Sequence, residues 1–358
     1  MKVHAVIMAG GIGAGFWPKS RRSMPKQFLA LFDDKSLLQH AAERIEPLVS
    51  VQNRWIVSTR SQENLVRMQC PQIPNENIIF EPFGKNTAPC IGLAALQLYD
   101  RDPESIMIVL PSDHLIVNTQ KFINILRDGI RLAEQYRNSL LTIGIHPTFP
   151  ATGYGYIQRG KEIGSDQSKA FKVRAFAEKP SQEIAETFFN SKEFLWNSGI
   201  FVWRAETILM YLEELMPNLY ASLLEIRDAS FAQNVQERVY RQIRSESIDY
   251  GVMEHASEVI VLQGDFGWSD VGSWEQVYEI ESRIHNGTSG NVLKGLVVNK
   301  GVNNCYVESN HRLISLLGVK DLVIIDTPDA LLICNRNQTQ DVKWLVEKLK
   351  HENLTQYL

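Results

Sequence analysis

Apolar residues in the first 200 positions fall into short runs separated by longer stretches of helical spacing. The runs Val3–Met8 (VHAVIM), Trp55–Thr59, Ile106–Leu110 and Leu140–Ile145 are aliphatic or β-branched and bounded by turn or polar residues. Such runs predict buried strands. Between them, SLLQHAAERIEPLV (Ser36–Val49) and NTAPCIGLAALQLYD (Asn86–Asp100) read as amphipathic helices. Strands alternating with helices predict an α/β fold, a Rossmann-like, mostly parallel sheet flanked by helices.

The texture changes at Ala151, where TGYGYIQRG, AFKVRAFAEKP and GIFVWRAE read as strands joined by glycine-rich turns. Helical pattern returns from Ala205 to about Arg244, and the main domain is placed at residues 1–285. From Asn286 to Asn337 come closely spaced β-rich pieces, VLKGLVVN, NCYVES, RLISLLGV, DLVIIDT and ALLICN. They predict a small C-terminal β module at 286–358, closed by a helix near Asp341–His351. A left-handed β-helix fragment is one form it could take, although no fixed repeat length survives counting.

Composition narrows the class. Of 358 residues, 37 are basic and 41 acidic, a net charge of −4. That balance predicts no nucleic-acid partner and no polybasic membrane anchor. The four cysteines, Cys70, Cys90, Cys305 and Cys334, are scattered and form no CxxC pair, as expected of reduced thiols. The first apolar run, Val3–Ala9, is too short for a signal peptide or a membrane span. A cytoplasmic globular protein is the expectation.

The chemistry begins in AGGIGAGFWPKSRRSMPKQFL, Ala9–Leu29, with glycines in its first half and cations in its second. The dinucleotide fingerprint GxGxxG, started at Gly11, fails because position 16 is Phe16. Walker A fails because Phe16 and Trp17 follow Gly15. The context still favours phosphate, since the loop follows a strand that ends at Met8. Gly10, Gly11 and Gly13 would let backbone N–H groups reach anionic oxygens. Lys19, Arg21, Arg22 and Lys26 add positive charge downstream, although cations also decorate ordinary surfaces.

The same stretch resembles the signature of the sugar-1-phosphate nucleotidyltransferases, and its FWPxSRxxxPKQFL half resembles the guanylyltransferases that act on mannose 1-phosphate. Further blocks are similar to that family's and stand in its order: EPFGKNTAP (Glu81–Pro89), LPSDH (Leu110–His114), GYGYI (Gly153–Ile157), FAEKP (Phe176–Pro180), WNSGIFVW (Trp196–Trp203), SIDYGVME (Ser247–Glu254) and GWSDVGSW (Gly267–Trp274). DTPDALLI resembles the family's C-terminal module. The resemblance implies a sheet of the nucleotide-diphospho-sugar transferase type. It also implies attack of mannose 1-phosphate on the α-phosphorus of GTP, giving GDP-mannose and pyrophosphate. Such a displacement needs alignment and charge neutralisation more than a protein nucleophile.

Site residues carry over one at a time. Asp113 and Asp270 would meet Mg²⁺, which prefers one or two carboxylates plus substrate oxygens. For Asp113, a helix cap or turn former is the bland reading. Lys26 would meet the nucleotide phosphates as a fixed charge, and His114 is expected to be a structural hydrogen bonder. Lys179 would hold the sugar phosphate, with Glu178 and Asn197 turned to hydroxyls and Gly153 and Gly155 bringing backbone close. Gly10, Gly11, Gly13, Ser112 and Asp113 belong to nucleotide binding, joined by Glu81, Asn86 and Thr87. Glu81 is expected to accept from guanine N1–H and N2–H₂; for Asn86 and Thr87 a helix cap is the competing reading. The family also implies a homodimer, and polysaccharide synthesis as the use of the product.

One position departs from the family. Where its loop carries an arginine, this chain has Gly15. Loss of a guanidinium predicts about 2–4 kcal/mol less transition-state stabilisation, unless Arg21, Arg22 or Lys19 takes its place. Another sugar or base, or a weakly active regulatory subunit, are the readings this opens. Only one helix follows the β module, so no isomerase activity is expected.

Overall fold

The computed structural model describes residues 2–11, 13–164, 168–285 and 290–358. The chain forms two compact units. The first holds the described residues of 1–10, 41–112 and 116–268; the second holds those of 11–40, 113–115 and 269–358. The boundary expected at 285/286 abuts residues 286–289, which lie outside the described residues. The units follow another division, in which residues 11–40 and 269–285 pack with the tail.

The first unit is built on a nine-stranded sheet. Its strands are β1 (Val3–Met8), β2 (Arg54–Thr59), β3 (Ile78–Glu81), β4 (Ile106–Pro111), β5 (Leu140–Ile145), β6 (Tyr156–Ile163), β7 (Ala170–Ala177), β8 (Phe194–Arg204) and β9 (Val259–Gly264). Their order is β3-β2-β1-β4-β8-β5-β9-β7-β6. The four-stranded β1–β4 stretch is parallel, as the strand–helix alternation predicts. Beyond it the sheet is mixed, because β8 runs antiparallel to β4, β5 and β6. Apolar runs of this kind specify burial on two faces and carry no information about direction.

Both faces of this parallel stretch are covered. Val6, Val57, Met107 and Val109 pack with the helices Thr87–Arg101, Ala205–Leu215 and Pro217–Asp228 in one large core. Their chain neighbours Ala5, Ile7, Ile56 and Ile108 point the other way and are equally buried. A strand sealed on both faces cannot accept a polar substitution without an unpaired group, a cost of about 1–3 kcal/mol.

The second unit carries the β module as a four-stranded sheet, β10 (Val292–Lys300), β11 (Tyr306–Leu317), β12 (Leu322–Asp326) and β13 (Leu331–Asn335). The first three pair in parallel, which stacks Val292, Tyr306 and Val323 in one column. Parallel, in-register neighbours without intervening helices are the pattern of a β-helix coil. That column shares a core with Phe16, Leu29, Leu31, Val271 and Trp274.

Candidate active site

In the second unit the glycine loop rests on Lys26. Gly13 has φ of 65°, and a Cβ there would lie 2.3 Å from the Lys26 Cβ. Only glycine allows both that backbone and that approach. Gln27 Nε2 donates to the Gly11 carbonyl at 2.9 Å, and Phe16 N to the Gly13 carbonyl at 3.4 Å. Pro25 sets the entry to a 3-10 turn over Lys26–Phe28, which buries both Lys26 and Gln27. The Phe16 ring lies 5.6 Å from Lys26 Nζ and meets Trp274 edge-on at 5.1 Å.

Lys26 ties together the two residues expected to meet the metal, one through its carboxylate and the other through its backbone carbonyl. Its Nζ donates to Asp113 Oδ2 at 2.8 Å and to the Asp270 carbonyl oxygen at 2.7 Å. Burial alone would push the Asp113 carboxyl up. The Lys26 ammonium, with His114 behind it, outweighs that and holds it below the ordinary carboxylate range. His114 Nε2 lies 3.9 Å from Asp113 Oδ1, so it sits in the second rank. Asp270 Oδ1 accepts from Gln276 Nε2 at 3.1 Å, and Gln276 in turn accepts from the Gly272 N–H. Nothing in the sequence pointed to Gln276, whose amide fixes the Asp270 side chain to the start of its helix.

No group of three or more His, Cys, Asp and Glu that could hold a metal occurs among the described residues. An ionised Asp113 and a second carboxylate at Asp270 therefore fit a hard cation that keeps water and substrate oxygens, and do not fit a closed protein cage.

Two other cations of the stretch, Lys19 and Arg21, are engaged elsewhere in the second unit. Lys19 is paired with Glu308, whose other oxygen accepts from Tyr306 at 3.1 Å. Arg21 pairs with Asp329 at 2.9 Å and donates to the carbonyls of Pro18 and Tyr357. Neither is available to replace a loop arginine.

The first unit brings four of the five expected sugar-phosphate residues together. The Gly155 carbonyl accepts from Asn197 N at 2.8 Å, and a Cβ on Gly155 would meet Glu178 Oε2 at 2.4 Å. Lys179, at φ of 45°, places Nζ 3.2 Å from Glu178 Oε1. The Asn197 amide is fixed at both ends: Nδ2 donates to Asp249 Oδ1 at 2.7 Å, and Oδ1 accepts from Thr142 Oγ1 at 2.9 Å. Glu254 Oε1 accepts from Glu178 N at 2.9 Å. Burial, reinforced by Glu178, pushes the Asp249 carboxyl up to about 7. Burial also raises Glu178, with Lys179 opposing it. The fifth, Gly153, is open around its missing Cβ. Trp196 is core, wedged between Phe149 and Tyr154.

Glu81 departs from its expected role. It is 2% exposed, and Tyr240 donates to its Oε1 at 3.1 Å. Burial pushes its carboxyl up to about 8, with Tyr240 opposing. A buried, neutral acid neither reaches a base nor offers two acceptors to guanine, so the base-reading role is withdrawn. Glu81 instead stands behind Gly10, where an added Cβ would lie 3.6 Å from its Oε2. Asn86 and Thr87 act as caps and ties. Asn86 Oδ1 accepts from Thr87 N at 2.9 Å, and Thr87 Oγ1 accepts from Ile248 N at 2.8 Å. Ser112 is buried, its N–H on the Met8 carbonyl at 3.1 Å.

Residues 4–287 match the nucleotidyl transferase family, and residues 295–349 match the MannoseP isomerase/GMP-like beta-helix domain. The chain belongs to the nucleotidyl transferase family. It is 39% identical to a mannose-1-phosphate guanylyltransferase of Klebsiella pneumoniae and 40% identical to one of Escherichia coli. Each alignment takes in 98% of this chain and 75% of the relative. A solved structure from Thermus thermophilus, titled a mannose-1-phosphate geranyltransferase, superposes with a TM-score of 0.86 at 30% identity, covering 98% of this chain and all of that one. The family's nucleotide-diphospho-sugar transferase sheet and β-helix-like module are thus both present. Among the described residues no helix is long and apolar enough to cross a membrane.

Proposed function

We propose that this chain is a mannose-1-phosphate guanylyltransferase, transferring GMP from GTP to mannose 1-phosphate. The observation that carries the reading is the convergence of Lys26 on the Asp113 carboxylate and the Asp270 backbone carbonyl, which gathers a cation and two acidic residues where phosphoryl chemistry needs them. The names of the relatives support the substrate pair. A phosphate oxygen of mannose 1-phosphate attacks the α-phosphorus of GTP. The bond from that phosphorus to the bridging oxygen breaks, and pyrophosphate leaves with GDP-mannose as product.

The protein's part is positioning and charge. Lys26 stabilises charge developing on the transferred phosphoryl group, and the Gly11 and Gly13 backbone lies open to the polyphosphate. Asp113 and Asp270 would hold Mg²⁺, which supplies Lewis-acid neutralisation of the phosphate oxygens. Glu178 and Asn197 accept from and donate to mannose hydroxyls, Lys179 binds the sugar phosphate, and Gly153 and Gly155 admit the ring. Gly10, Ser112, Asn86 and Thr87 shape the nucleotide side, with Glu81 as support beneath Gly10.

Two further parts of the reading rest on separate observations. The four cysteines are free thiols, which supports a reducing, cytoplasmic setting. Leu296, Val298, Leu313, Leu317 and Ile333 of the β module are exposed, which supports self-association as a homodimer.

The test is pyrophosphate release from GTP and mannose 1-phosphate with Mg²⁺, with ATP and glucose 1-phosphate as competitors. GDP-mannose formation with at least tenfold preference over each competitor is expected. Turnover favouring a competitor, or none with any pair, would reject the assignment.

A further inference from the structure

The structure answers why Gly15 stands where a cation would be useful. Gly15 is buried and its φ is not left-handed, so its backbone does not require glycine. Its surroundings are tight rather than prohibitive. A Cβ added there would lie 3.1 Å from the Gly272 carbonyl oxygen and 3.6 Å from Cε of Lys343. Lys343 belongs to the helix Val342–His351, far along the chain but in the same unit as the loop. A lysine stem thus borders the space that a side chain at position 15 would enter.

From this we infer that Lys343 is a phosphate-binding residue, supplying from the closing helix the positive charge that the loop itself lacks. Three observations converge on it. Lys343 is exposed, and its side chain makes no ion pair or hydrogen bond among the described residues. Of the three cations that could replace a loop arginine, Lys19 and Arg21 are held by Glu308 and Asp329, which leaves the exposed Arg22 as the other candidate on that stretch. Lys343 also sits in the first turn of its helix, where the aligned peptide dipoles disfavour a cation. The other lysines paired on that helix, Lys348 and Lys350, sit in its last turn, where cations are favoured, and each has a carboxylate partner. A lysine placed against the dipole and left without a carboxylate beside a glycine loop is available to an anion.

The anion would be the polyphosphate of the nucleotide, whose β- and γ-phosphates depart as pyrophosphate. Its identity rests on the guanylyltransferase reading; the presence of an anion site at Gly15 does not. The geometry also makes the two solutions neighbours: an arginine at position 15 would press on the Gly272 carbonyl and start in contact with the Lys343 stem, so the two cations would compete for one anion.

The experiment compares the wild type with K343M, K343R, K348M, G15R and the double variant G15R/K343A, in turnover of GTP with mannose 1-phosphate and in calorimetric binding of inorganic pyrophosphate. K343M should lower kcat/KM for GTP on the order of tenfold to a hundredfold, as for loss of one charge-stabilising donor. It should weaken pyrophosphate binding in parallel. K343R should stay near wild type, and K348M should be unchanged in both assays. G15R alone should gain nothing, whereas G15R/K343A should recover most of what K343M loses. K343M matching K348M would overturn the inference, as would G15R raising activity with Lys343 in place. If no substrate pair turns over in the wild type, the guanylyltransferase reading falls. Pyrophosphate binding then decides about Lys343 by itself: a loss in K343M and not in K348M upholds the site, and equal binding removes it.

Discussion

Lys26 Nζ stands 2.8 Å from Asp113 Oδ2 and 2.7 Å from the Asp270 carbonyl, so one buried ammonium fixes both carboxylate-bearing loops of the second unit. The same charge that keeps Asp113 ionised is the one assigned to the transferred phosphoryl group. Exchanging Lys26 for Met should therefore act twice. It should lower kcat on the order of a hundredfold to a thousandfold, as when a preorganised charge donor is removed. It should also weaken Mg²⁺ dependence, because an Asp113 without its ammonium is a poorer acid. A variant with unchanged kcat and an unchanged Mg²⁺ titration would remove Lys26 from the site.

Glu81 is predicted to be silent in base selection. Its carboxyl is already neutral at pH 7, since burial raises it to about 8, so Glu81→Gln preserves charge and shape. Preference for GTP over ATP should stay within about twofold of wild type, well under one kcal/mol. The stability profile should change. The folded carboxyl keeps its proton between the ordinary value of 4.5 and about 8 while the unfolded chain loses it. Wild-type stability contributed by this group therefore falls as pH rises through that window. The Gln variant lacks that slope and should gain on the wild type between pH 5 and 8 in denaturant unfolding. A shift in base preference would return Glu81 to the nucleotide pocket.

Much of this was open to reading in one dimension, and the exceptions have a common cause. The parallel strands announced themselves because a strand sealed on two faces must be an unbroken apolar run. The glycine loop was visible because a close backbone approach leaves few residue types able to serve. What stayed hidden were partners fixed by packing. Lys19 and Arg21 look like phosphate ligands in the sequence, yet they meet Glu308 and Asp329, 289 and 308 residues away. Glu81 looks like an acceptor until Tyr240, 159 residues on, closes over it. A charge carries no mark of whether its neighbour will be a ligand, a carboxylate or a void.

Asp249 holds Asn197, the residue that the proposed reading turns to the sugar. With Oδ1 taken by Thr142 and one Nδ2 hydrogen by Asp249, the amide has one orientation, leaving its second N–H for a hydroxyl. Asp249→Ala should raise KM for mannose 1-phosphate about tenfold, the equivalent of one hydrogen bond, with KM for GTP little changed. Asp249→Asn keeps an acceptor for Asn197 and should rescue it. The folded Asp249 carboxyl lies near 7 against an ordinary 3.8, so its contribution to stability declines as pH rises from about 4 to 7, and the Asn variant should lose that decline. Equal effects of the Ala variant on both KM values would make Asp249 a general packing residue.

The anchoring of the cation-rich stretch gives a last prediction. Trp17 Nε1 donates to the Tyr357 carbonyl at 2.8 Å, and Arg21 donates to the same oxygen while pairing with Asp329. One backbone carbonyl thus collects two side chains from the segment that follows the glycine loop, and Lys19 ties that segment to β11 through Glu308. Removing residues 355–358 takes the protein acceptor from the half-buried Trp17 indole N–H, a cost of about 0.5–1.5 kcal/mol, and shifts Trp17 emission to the red as water enters. Arg21→Ala removes part of the same anchor. Because the two changes share Tyr357, their costs should fall short of additive by about 0.5 kcal/mol or more in a double-mutant cycle. The loop between this anchor and β1 also loses its fixed end, so KM for GTP should rise in the truncated chain while KM for mannose 1-phosphate holds. Strict additivity, or an unaltered KM for GTP, would mean that the tail contact steadies the β module without reaching the phosphate loop.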